Sequence, residues 1–167
     1  TDYFNTKLYT GNGGTQSITG VGFQPDFSWL KNRSATQHHQ LFDAIRGATK
    51  RIYSSSTAAE DTGSDTLTAF DSDGFSVGAN GGVNGNGNNI VSWNWKAGTT
   101  GSGTTTGSGT GKAYSYSVNT TSGVSIVKYK GNGTSGHQIP HHLGVAPDMT
   151  IIKKLNATED WIVQNSV

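Results

Sequence analysis

The 167-residue chain contains no cysteine and few charged residues. Without cysteine it can form neither disulfides nor thiolate-based zinc or redox sites, so its stability must come from packing. Lysine, arginine, aspartate and glutamate make up 14% of the residues, and the formal net charge is +1. Proteins that bind nucleic acids or anionic membranes normally carry clustered basic side chains. We therefore expect no nucleic-acid partner.

Long apolar runs are also missing. No stretch approaches the roughly 18 apolar residues of a membrane span, which predicts a soluble protein without membrane insertion. Apolar residues form only 32% of the chain, whereas glycine contributes 24 residues. Disordered chains usually combine low hydrophobicity with high net charge, and this chain has a low net charge and aromatic residues spread along it. The composition favours an all-β fold of many short strands joined by tight turns.

Part of the sequence occurs twice. The second occurrence follows the first by 120 to 122 residues and keeps the order of turn and strand signals. A shared order of this kind is typical of a repeated structural unit. The matching pairs are Tyr9 and Tyr129, residues 11–13 and 131–133, Ile18 and Ile139, Gly22 and Gly144, residues 25–26 and 147–148, and Lys31 and Lys153. The second copy lacks everything equivalent to residues 44–97.

We predict three segments: an antiparallel β-sandwich module at residues 1–97, a linker at residues 98–112 and a partial second module at residues 113–167. Residues 98–111 are all glycine, serine or threonine, which leaves no apolar side chain to bury. A half-module of four or five strands leaves an apolar face in need of cover. Three explanations are open: the polypeptide continues past Val167, the half-module packs on the first module, or it completes a neighbouring subunit by strand addition. We favour the first.

Several strands of the first module can be predicted from local patterns. Asn12 and Gly13 separate two alternating runs, which predicts an opening hairpin. Residues 27–32 carry apolar side chains on both faces, as a central strand does. Residues 67–70 and 75–77 flank an Asp- and Gly-containing turn and predict a second hairpin. In residues 90–95 Val91, Trp93 and Trp95 share one face.

Seven segments of the first module resemble a module common in tailed phages of marine bacteria. They are residues 3–6, 9–13, 22–27, 41–43, 46–47, 70–75 and 93–98. The resemblance implies a concanavalin-like, SPRY-like sandwich, similar to a jelly roll, that is repeated in tandem in tail-fibre and virion surface proteins. It implies a place on the virion surface or outside the cell. It also implies adhesion or virion structure rather than catalysis, with no catalytic residue to carry over.

Trp93 and Trp95 share a strand face and suggest a platform for a sugar ring. Large aromatic side chains dominate apolar cores, however, and Val91 lies beside them in the pattern. We therefore favour a core position for both tryptophans, and for Trp29 by the same argument.

Two patterns suggest metal sites and fall short of them. Residues 71–74 have the spacing that opens a calcium loop, but the further ligands are missing, and a hairpin turn explains them better. Two histidine clusters occupy equivalent parts of the repeat, at residues 38–39 and 137–142. Adjacent histidines on a strand point to opposite faces, so we interpret them as surface residues. We predict no metal site and no cofactor.

Glu60, Asp61 and Asp65 form the acidic cluster of the first module. Two carboxyl groups about 5 to 9.5 Å apart are what a glycosidase needs. These three lie among small polar residues, where nothing predicts the rigid, desolvated setting that tunes a catalytic pKa. We interpret them as a solvated loop and predict no catalytic residues.

The glycine- and asparagine-rich segment 80–89 predicts an exposed loop of amide donors, suited to sugar hydroxyls or to a neighbouring subunit. Recognition residues usually lie on such loops. The predicted ligand-binding residues are Asn84, Asn86, Asn88, Asn89 and His38.

The leading hypothesis is a non-enzymatic, virion-associated adhesion module that binds a host-surface glycan through many weak contacts. The alternative is a purely structural subunit that assembles into a fibre or shell by pairing strands with neighbouring copies. In both cases the expected partners are further copies of the chain or other virion proteins. A glycosidase is the third and least favoured hypothesis.

Overall fold

The computed structural model describes residues 2–166, which form sixteen β-strands and one helix of four residues. The prediction of an all-β, antiparallel fold is confirmed. Within residues 2–166 no helix has the length and apolar character needed to cross a membrane. The elements are β1 (Phe4–Thr10), β2 (Gln16–Thr19), β3 (Phe27–Asn32), β4 (Gln40–Asp43), β5 (Lys50–Tyr53), β6 (Asp61–Thr62), β7 (Leu67–Asp71), β8 (Gly74–Val77), α1 (Gly81–Asn84), β9 (Asn89–Trp95), β10 (Thr99–Thr104), β11 (Thr106–Gly107), β12 (Ala113–Asn119), β13 (Val124–Tyr129), β14 (His137–Gln138), β15 (Met149–Ile152) and β16 (Ile162–Asn165).

Two antiparallel sheets form the first module. The larger has six strands in the order β1-β9-β3-β4-β5-β6, and the smaller has three in the order β2-β8-β7. The core cluster unites residues of both sheets with α1: Ile18, Leu30, Phe42, Leu67, Phe75, Val77 and Val83. The prediction that residues 27–32 are a central strand is confirmed, because β3 pairs with β9 on one edge and β4 on the other.

The opening hairpin predicted around Asn12 and Gly13 is wrong. β1 pairs with β9 and β2 pairs with β8, so the turn carries the chain from one sheet to the other. The turn chemistry itself is present, since Gly13 has a φ of +70° and Asn12 Oδ1 accepts a hydrogen bond from Gly14 N at 2.8 Å. The partner strands are far away in sequence, which local turn signals do not reveal.

The second predicted hairpin is confirmed. β7 and β8 pair across the turn, with Asp71 opposite Gly74. Asp73 within the turn accepts hydrogen bonds from Gly20 N at 2.9 Å and Gly22 N at 2.6 Å. These two backbone donors hold the pKa of Asp73 below its ordinary value.

The segment 98–112 is not a linker. Its residues form β10 and β11, and β10 pairs with β12 over six residue pairs in the sheet β10-β12-β13. Gly101 lies opposite Tyr116, and Gly103 lies opposite Tyr114. A Cβ atom at Gly101 would lie 2.6 Å from Tyr116 Oη, and one at Gly103 would lie 2.8 Å from Tyr114 Oη. Glycine therefore permits the tyrosines to lie over the neighbouring strand and supply its apolar cover.

The repeat extends to the pairing of strands. In the hairpin β15–β16, Met149 lies opposite Asn165 and Ile152 opposite Ile162. In the hairpin β3–β4 the same places are taken by Phe27 and Asp43 and by Leu30 and Gln40. Every pair is shifted by 122 residues. The two hairpins therefore have one and the same register, as expected for copies of a single unit.

The loops of the repeat agree as well. Lys31 Nζ donates to the carbonyls of Asn32 and Gln37, at 2.7 and 2.9 Å. Lys153 Nζ donates to Lys154 O and Glu159 O, at 3.0 and 2.9 Å. His142, at the position of Gly20, keeps a positive φ of 60° although it is not glycine. It is stacked on Tyr116 at a ring distance of 3.8 Å.

Hydrogen bonds join the second copy to the first module. Trp161 Nε1 donates to Tyr53 O at 2.9 Å, and Glu60 N donates to Leu155 O at 2.8 Å. On another side, Ser117 Oγ donates to Asp26 Oδ1 at 3.1 Å. Packing of the half-module on the first module is thus observed. The extents predicted for the two modules, residues 1–97 and 113–167, stay a prediction.

Candidate functional site

The outer face of the six-stranded sheet carries aromatic side chains. Along β3, Ser28, Leu30 and Asn32 are buried, whereas Phe27 and Trp29 point to the other side and are half-buried. β9 repeats this arrangement with buried Ile90, Ser92 and Asn94, and with half-buried Trp93 and Trp95. The prediction that the tryptophans belong to the core is therefore wrong.

Strand register brings these aromatic side chains into rows across the sheet. Trp95 lies opposite Phe4 on β1 and Phe27 on β3, with ring centroids 4.9 and 5.4 Å away. In the next row Trp93 lies opposite Trp29, with the rings 6.1 Å apart and edge to face. Such tilted and edge-to-face contacts are the favoured geometry of aromatic pairs. We call Phe4, Phe27, Trp29, Trp93 and Trp95 the aromatic platform.

Hydrogen bonds on the inner face explain why the tryptophans point outward. Ser28 Oγ donates to Asn94 Oδ1 at 2.9 Å, and Asn94 Nδ2 donates to Ser92 Oγ at 3.0 Å and to Asn5 O at 3.2 Å. A buried polar group costs little when it is hydrogen-bonded. This network lets the small polar residues occupy the interior, so the alternation of each strand places the large aromatic residues outside.

His39 lies at the edge of the platform in a defined state. Trp29 Nε1 donates to His39 Nδ1 at 2.8 Å. Because Nδ1 accepts, the proton of the neutral ring lies on Nε2, which is left as a donor. Partial burial, and secondarily the charge of Lys31, hold the pKa of His39 below its ordinary value of 6.5. The neutral ring is thus the stable form near pH 7.

An open hollow of about 250 Å³ lies on this face, lined by Trp29, His39, Trp93 and Trp95. Its walls are indole surface, with the imidazole at the edge. Flat indole faces can contact the C–H face of a sugar ring, and the His39 Nε2–H group can bind a hydroxyl oxygen. The sequence signal for this site is the alternation of small polar residues with tryptophan in β3 and β9, and the structure buries the polar face where the sequence pattern favours burial of the tryptophans.

The predicted ligand residues in segment 80–89 fall into two groups. Asn84 is 0% exposed, and its Nδ2 donates to Asn12 Oδ1, Gly14 O and Gly78 O at 2.7 to 2.9 Å. Its Oδ1 accepts from Asn12 N at 3.0 Å. With no atom left for a ligand, Asn84 is withdrawn from the predicted site; its role is to hold three loop segments together.

The other predicted residues remain accessible but lie away from the platform. Asn86 and Asn89 are exposed and Asn88 is half-buried. Asn89 contributes to a second, smaller hollow of about 200 Å³ with Tyr9, Arg33 and others. His38 is exposed and contacts other groups, since its Nδ1 lies 3.0 Å from Ser55 Oγ and its ring 5.2 Å from that of Tyr53. A ligand role for these four residues stays a prediction.

The acidic cluster is engaged in ion pairs rather than solvated throughout. Glu60 binds Arg46 Nη1 at 3.1 Å, and Arg46 also binds Asp43 and is 4% exposed. Asp61 accepts from Arg51 Nε at 2.5 Å and from Tyr53 Oη at 3.1 Å. Asp65 is exposed. The interpretation of Glu60 and Asp61 as part of a solvated loop is corrected, because arginine partners hold both carboxylates.

The described part of the chain contains no group of three or more histidine, cysteine, aspartate or glutamate side chains that could hold a metal ion. A family model described as a domain of unknown function (DUF7483) matches residues 1–167. The comparisons with curated proteins and with solved structures found no match.

Proposed function

We propose, for a chain that belongs to the DUF7483 family, that it is a non-enzymatic, carbohydrate-binding adhesion module whose sugar site is the aromatic platform with His39. The single observation behind this proposal is which side chains β3 and β9 bury and which they turn outward. Small polar residues occupy the interior while three tryptophans face outward. Exposed apolar patches of this kind on folded proteins mark binding surfaces.

The chemistry of the platform supports a sugar more than an apolar peptide or a lipid. Its hollow is shallow and open, and it combines indole faces with one imidazole N–H donor. A pyranose ring presents an apolar C–H face together with hydroxyl groups, which matches this combination. Because the net charge is only +1, the protein has no large excess of charge that would attract a strongly charged ligand.

A non-enzymatic role is supported by the state of the acidic residues. Glycoside hydrolysis needs one carboxyl group as an acid and another as a base or nucleophile. Glu60 and Asp61 are instead held in ion pairs with Arg46 and Arg51, so neither carboxyl group is free to act on a substrate. The location on a phage fibre or virion surface is supported by the sequence resemblance described above, and host-surface glycans are the ligands that such a location offers.

The test is a glycan array probed with the intact chain, followed by calorimetry with the oligosaccharides that bind. Trp93→Ala removes the indole at the centre of the platform, and we expect it to weaken binding about tenfold, or roughly 1.4 kcal/mol. Leu8→Ala is the matched control, because Leu8 is 61% exposed but lies outside the hollow. Its affinity should stay within about twofold of the wild type.

Two results would contradict the proposal. One is an array on which no glycan binds above background. The other is a Trp93→Ala variant that is folded, as judged by its melting temperature, and binds the selected glycan as tightly as the wild type.

A further inference from the structure

The second hollow, of about 200 Å³, lies on the same outer face of the six-stranded sheet as the aromatic platform. On β9, Trp93 and Asn89 point to the same side, with Val91 between them, because side chains alternate along a strand. Asn89 and Trp93 are thus roughly 13 Å apart along β9. Arg33, which directly follows β3, lines this hollow together with Asn89 and Thr10. The platform and the second hollow therefore lie side by side on one surface.

Arg33 brings a positive charge to the second hollow that the rest of the protein does not neutralise. Its side chain is exposed, and within residues 2–166 it forms neither a salt bridge nor a hydrogen bond. The other two arginines, Arg46 and Arg51, both bind carboxylates. Residues 27–42 and the strands β1 and β9 contain no aspartate or glutamate. The Arg33 guanidinium is therefore available to an anionic group from outside the protein.

Hydrogen bonds fix the backbone that carries Arg33. Asn32 Oδ1 accepts from Ser34 N and Ala35 N at 2.9 and 3.0 Å, and the Asn32 side chain is buried. Arg33 N donates to Asn89 O at 2.8 Å, and Asn89 N donates to Ser34 Oγ at 2.9 Å. A group on a fixed backbone loses less conformational freedom when it binds a ligand. Arg33 is thus held beside Asn89, and only its side chain has to adjust.

Two further polar side chains of the second hollow are unbonded. Thr10 and Asn89 lie opposite each other on β1 and β9, and neither side chain forms a hydrogen bond in the part of the chain that the structure describes. Amide and hydroxyl groups bind sugar hydroxyls, and the planar guanidinium of Arg33 matches the oxygens of a carboxylate or a sulfate. Lys31, on the same side of β3, adds a second positive charge. Leu8 also borders the hollow, but it offers neither charge nor hydrogen bond and remains a suitable control.

We propose that the second hollow binds the acidic group of a sugar, a carboxylate or a sulfate ester, on the same glycan chain whose neutral ring lies on the aromatic platform. This inference rests on the proposed sugar binding and specifies its ligand as an oligosaccharide of neutral and acidic rings. Indole surface suits the neutral ring, because an anion placed on apolar surface loses hydration. The net charge of +1 is compatible with such a ligand, since net charge acts at long range and the contact with Arg33 is local.

The probes are galactan, glucan, mannan and xylan oligosaccharides long enough to span both hollows, with one acidic group placed on each ring in turn. Members with a uronic acid are compared with their methyl esters, and sulfated members with the unsulfated chains, by calorimetry with the intact protein. We expect at least one acidic member to bind about fivefold more tightly than its uncharged partner. The pair that shows this preference tells a carboxylate from a sulfate.

Arg33→Gln removes the charge and keeps a polar side chain, and the protein loses no internal bond by it. We expect this variant to bind the acidic member about fivefold more weakly than the wild type does. Its affinity for the uncharged partner should stay within about twofold of the wild type. Lys128→Gln is the matched control, because it removes the same charge from an exposed residue of β13. This control should keep the wild-type preference for the acidic member.

Salt provides a second readout, which a merely structural role of Arg33 would not move. An exposed ion pair is screened by salt, and the Debye length falls from roughly 14 Å to roughly 4 Å when NaCl is raised from about 0.05 M to about 0.5 M. We expect the wild type to lose most of its preference for the acidic member over this range. The affinity for the uncharged partner, and both affinities of Arg33→Gln, should change by less than about twofold.

Three outcomes overturn this inference, and they are distinct from failure of the proposed function. The first is a probe set in which nothing binds, whatever the broader glycan array shows. The second is equal binding of acidic and uncharged members with a loss of both in Trp93→Ala, which would leave the platform as a sugar site for neutral glycans. The third is a preference that survives in Arg33→Gln or is lost equally in Lys128→Gln, which would place the anion elsewhere or attribute its binding to overall charge.

Discussion

Whether a small polar side chain finds a partner decides which face of a strand is buried. Ser28 and Asn94 bond to each other across β3 and β9, and Asn94 also reaches Asn5 O on β1. Each bond offsets the cost of taking a polar group out of water. The tryptophans then have no place inside and form the outer face. Composition and alternation alone cannot predict this, because the bonds depend on which strands become neighbours.

The lowered pKa of His39 predicts that the stability of the protein depends on pH. Its folded-state pKa lies below 6.5, chiefly through burial. As the pH falls, the unfolded chain therefore takes up the proton first, and protonation at Nδ1 also breaks the bond from Trp29 Nε1. The contribution of His39 to stability is complete above pH 6.5 and is lost as the pH falls through its lowered pKa.

Urea unfolding at about pH 7.5 and about pH 5 measures this loss. We expect His39→Gln to lose less stability between the two pH values than the wild type. His38→Gln is the matched control on the neighbouring residue and should keep the wild-type difference. Equal losses for the wild type and His39→Gln would contradict the prediction.

At the scale of single elements, structure formed by neighbouring residues can be predicted from the sequence. The β7–β8 hairpin was predictable because its turn and both strands lie within residues 67–77. The turn at Asn12 and Gly13 has the same kind of signal. Its flanking strands do not pair with each other, because β1 pairs with β9 and β2 pairs with β8, about 60 to 90 residues further along the chain. Which partner a strand takes depends on the whole sheet, so turn chemistry alone could not settle it.

Segment 98–112 shows a strand that carries almost no strand signal of its own. Threonine and serine alternate with glycine in β10, and the apolar cover comes from the tyrosines of β12. The pattern can be recognised only when both strands are considered together. The aromatic face of β9 was predictable from its alternation, but its outward direction and its neighbours Phe4, Phe27 and Trp29 depend on which strands pair with β9.

Gly101→Val tests this arrangement. The new Cβ atom would lie 2.6 Å from Tyr116 Oη and 2.7 to 2.8 Å from two atoms of its ring, and that ring is also held by the stacked imidazole of His142. We expect the free energy of unfolding to fall by about 1 to 2 kcal/mol, despite the higher strand propensity of valine. Ser102→Val is the control, because Ser102 is exposed on the same strand, and it should change stability by less than about 0.5 kcal/mol. A Gly101→Val variant as stable as this control would refute the role assigned to the tyrosines.

At the scale of the whole molecule, the two copies share a framework and differ in their surface residues. The repeated register was predictable from the matching turns and from Lys31 and Lys153. The aromatic platform is not repeated in the described part of the second copy: Ile151 takes the place of Trp29, and Trp161, at the position of His39, donates to Tyr53 O in the first module. Within residues 2–166 the aromatic platform occurs once.

If the aromatic platform binds sugars as proposed, a single shallow platform within residues 2–166 predicts weak binding by one molecule and strong binding by a cluster. Linked sites gain affinity from a high effective concentration without any new contact, commonly by about 10²- to 10⁴-fold. Biotinylated protein captured on streptavidin, compared with the free chain on a glycan-coated surface, should dissociate at least about 100 times more slowly. Clustered Trp93→Ala protein is the control and should lose most of this gain, because avidity multiplies a weak contact and cannot replace it. A free chain that already dissociates as slowly as the cluster would mean that a single site is sufficient, and the array of weak contacts would then be unnecessary for adhesion.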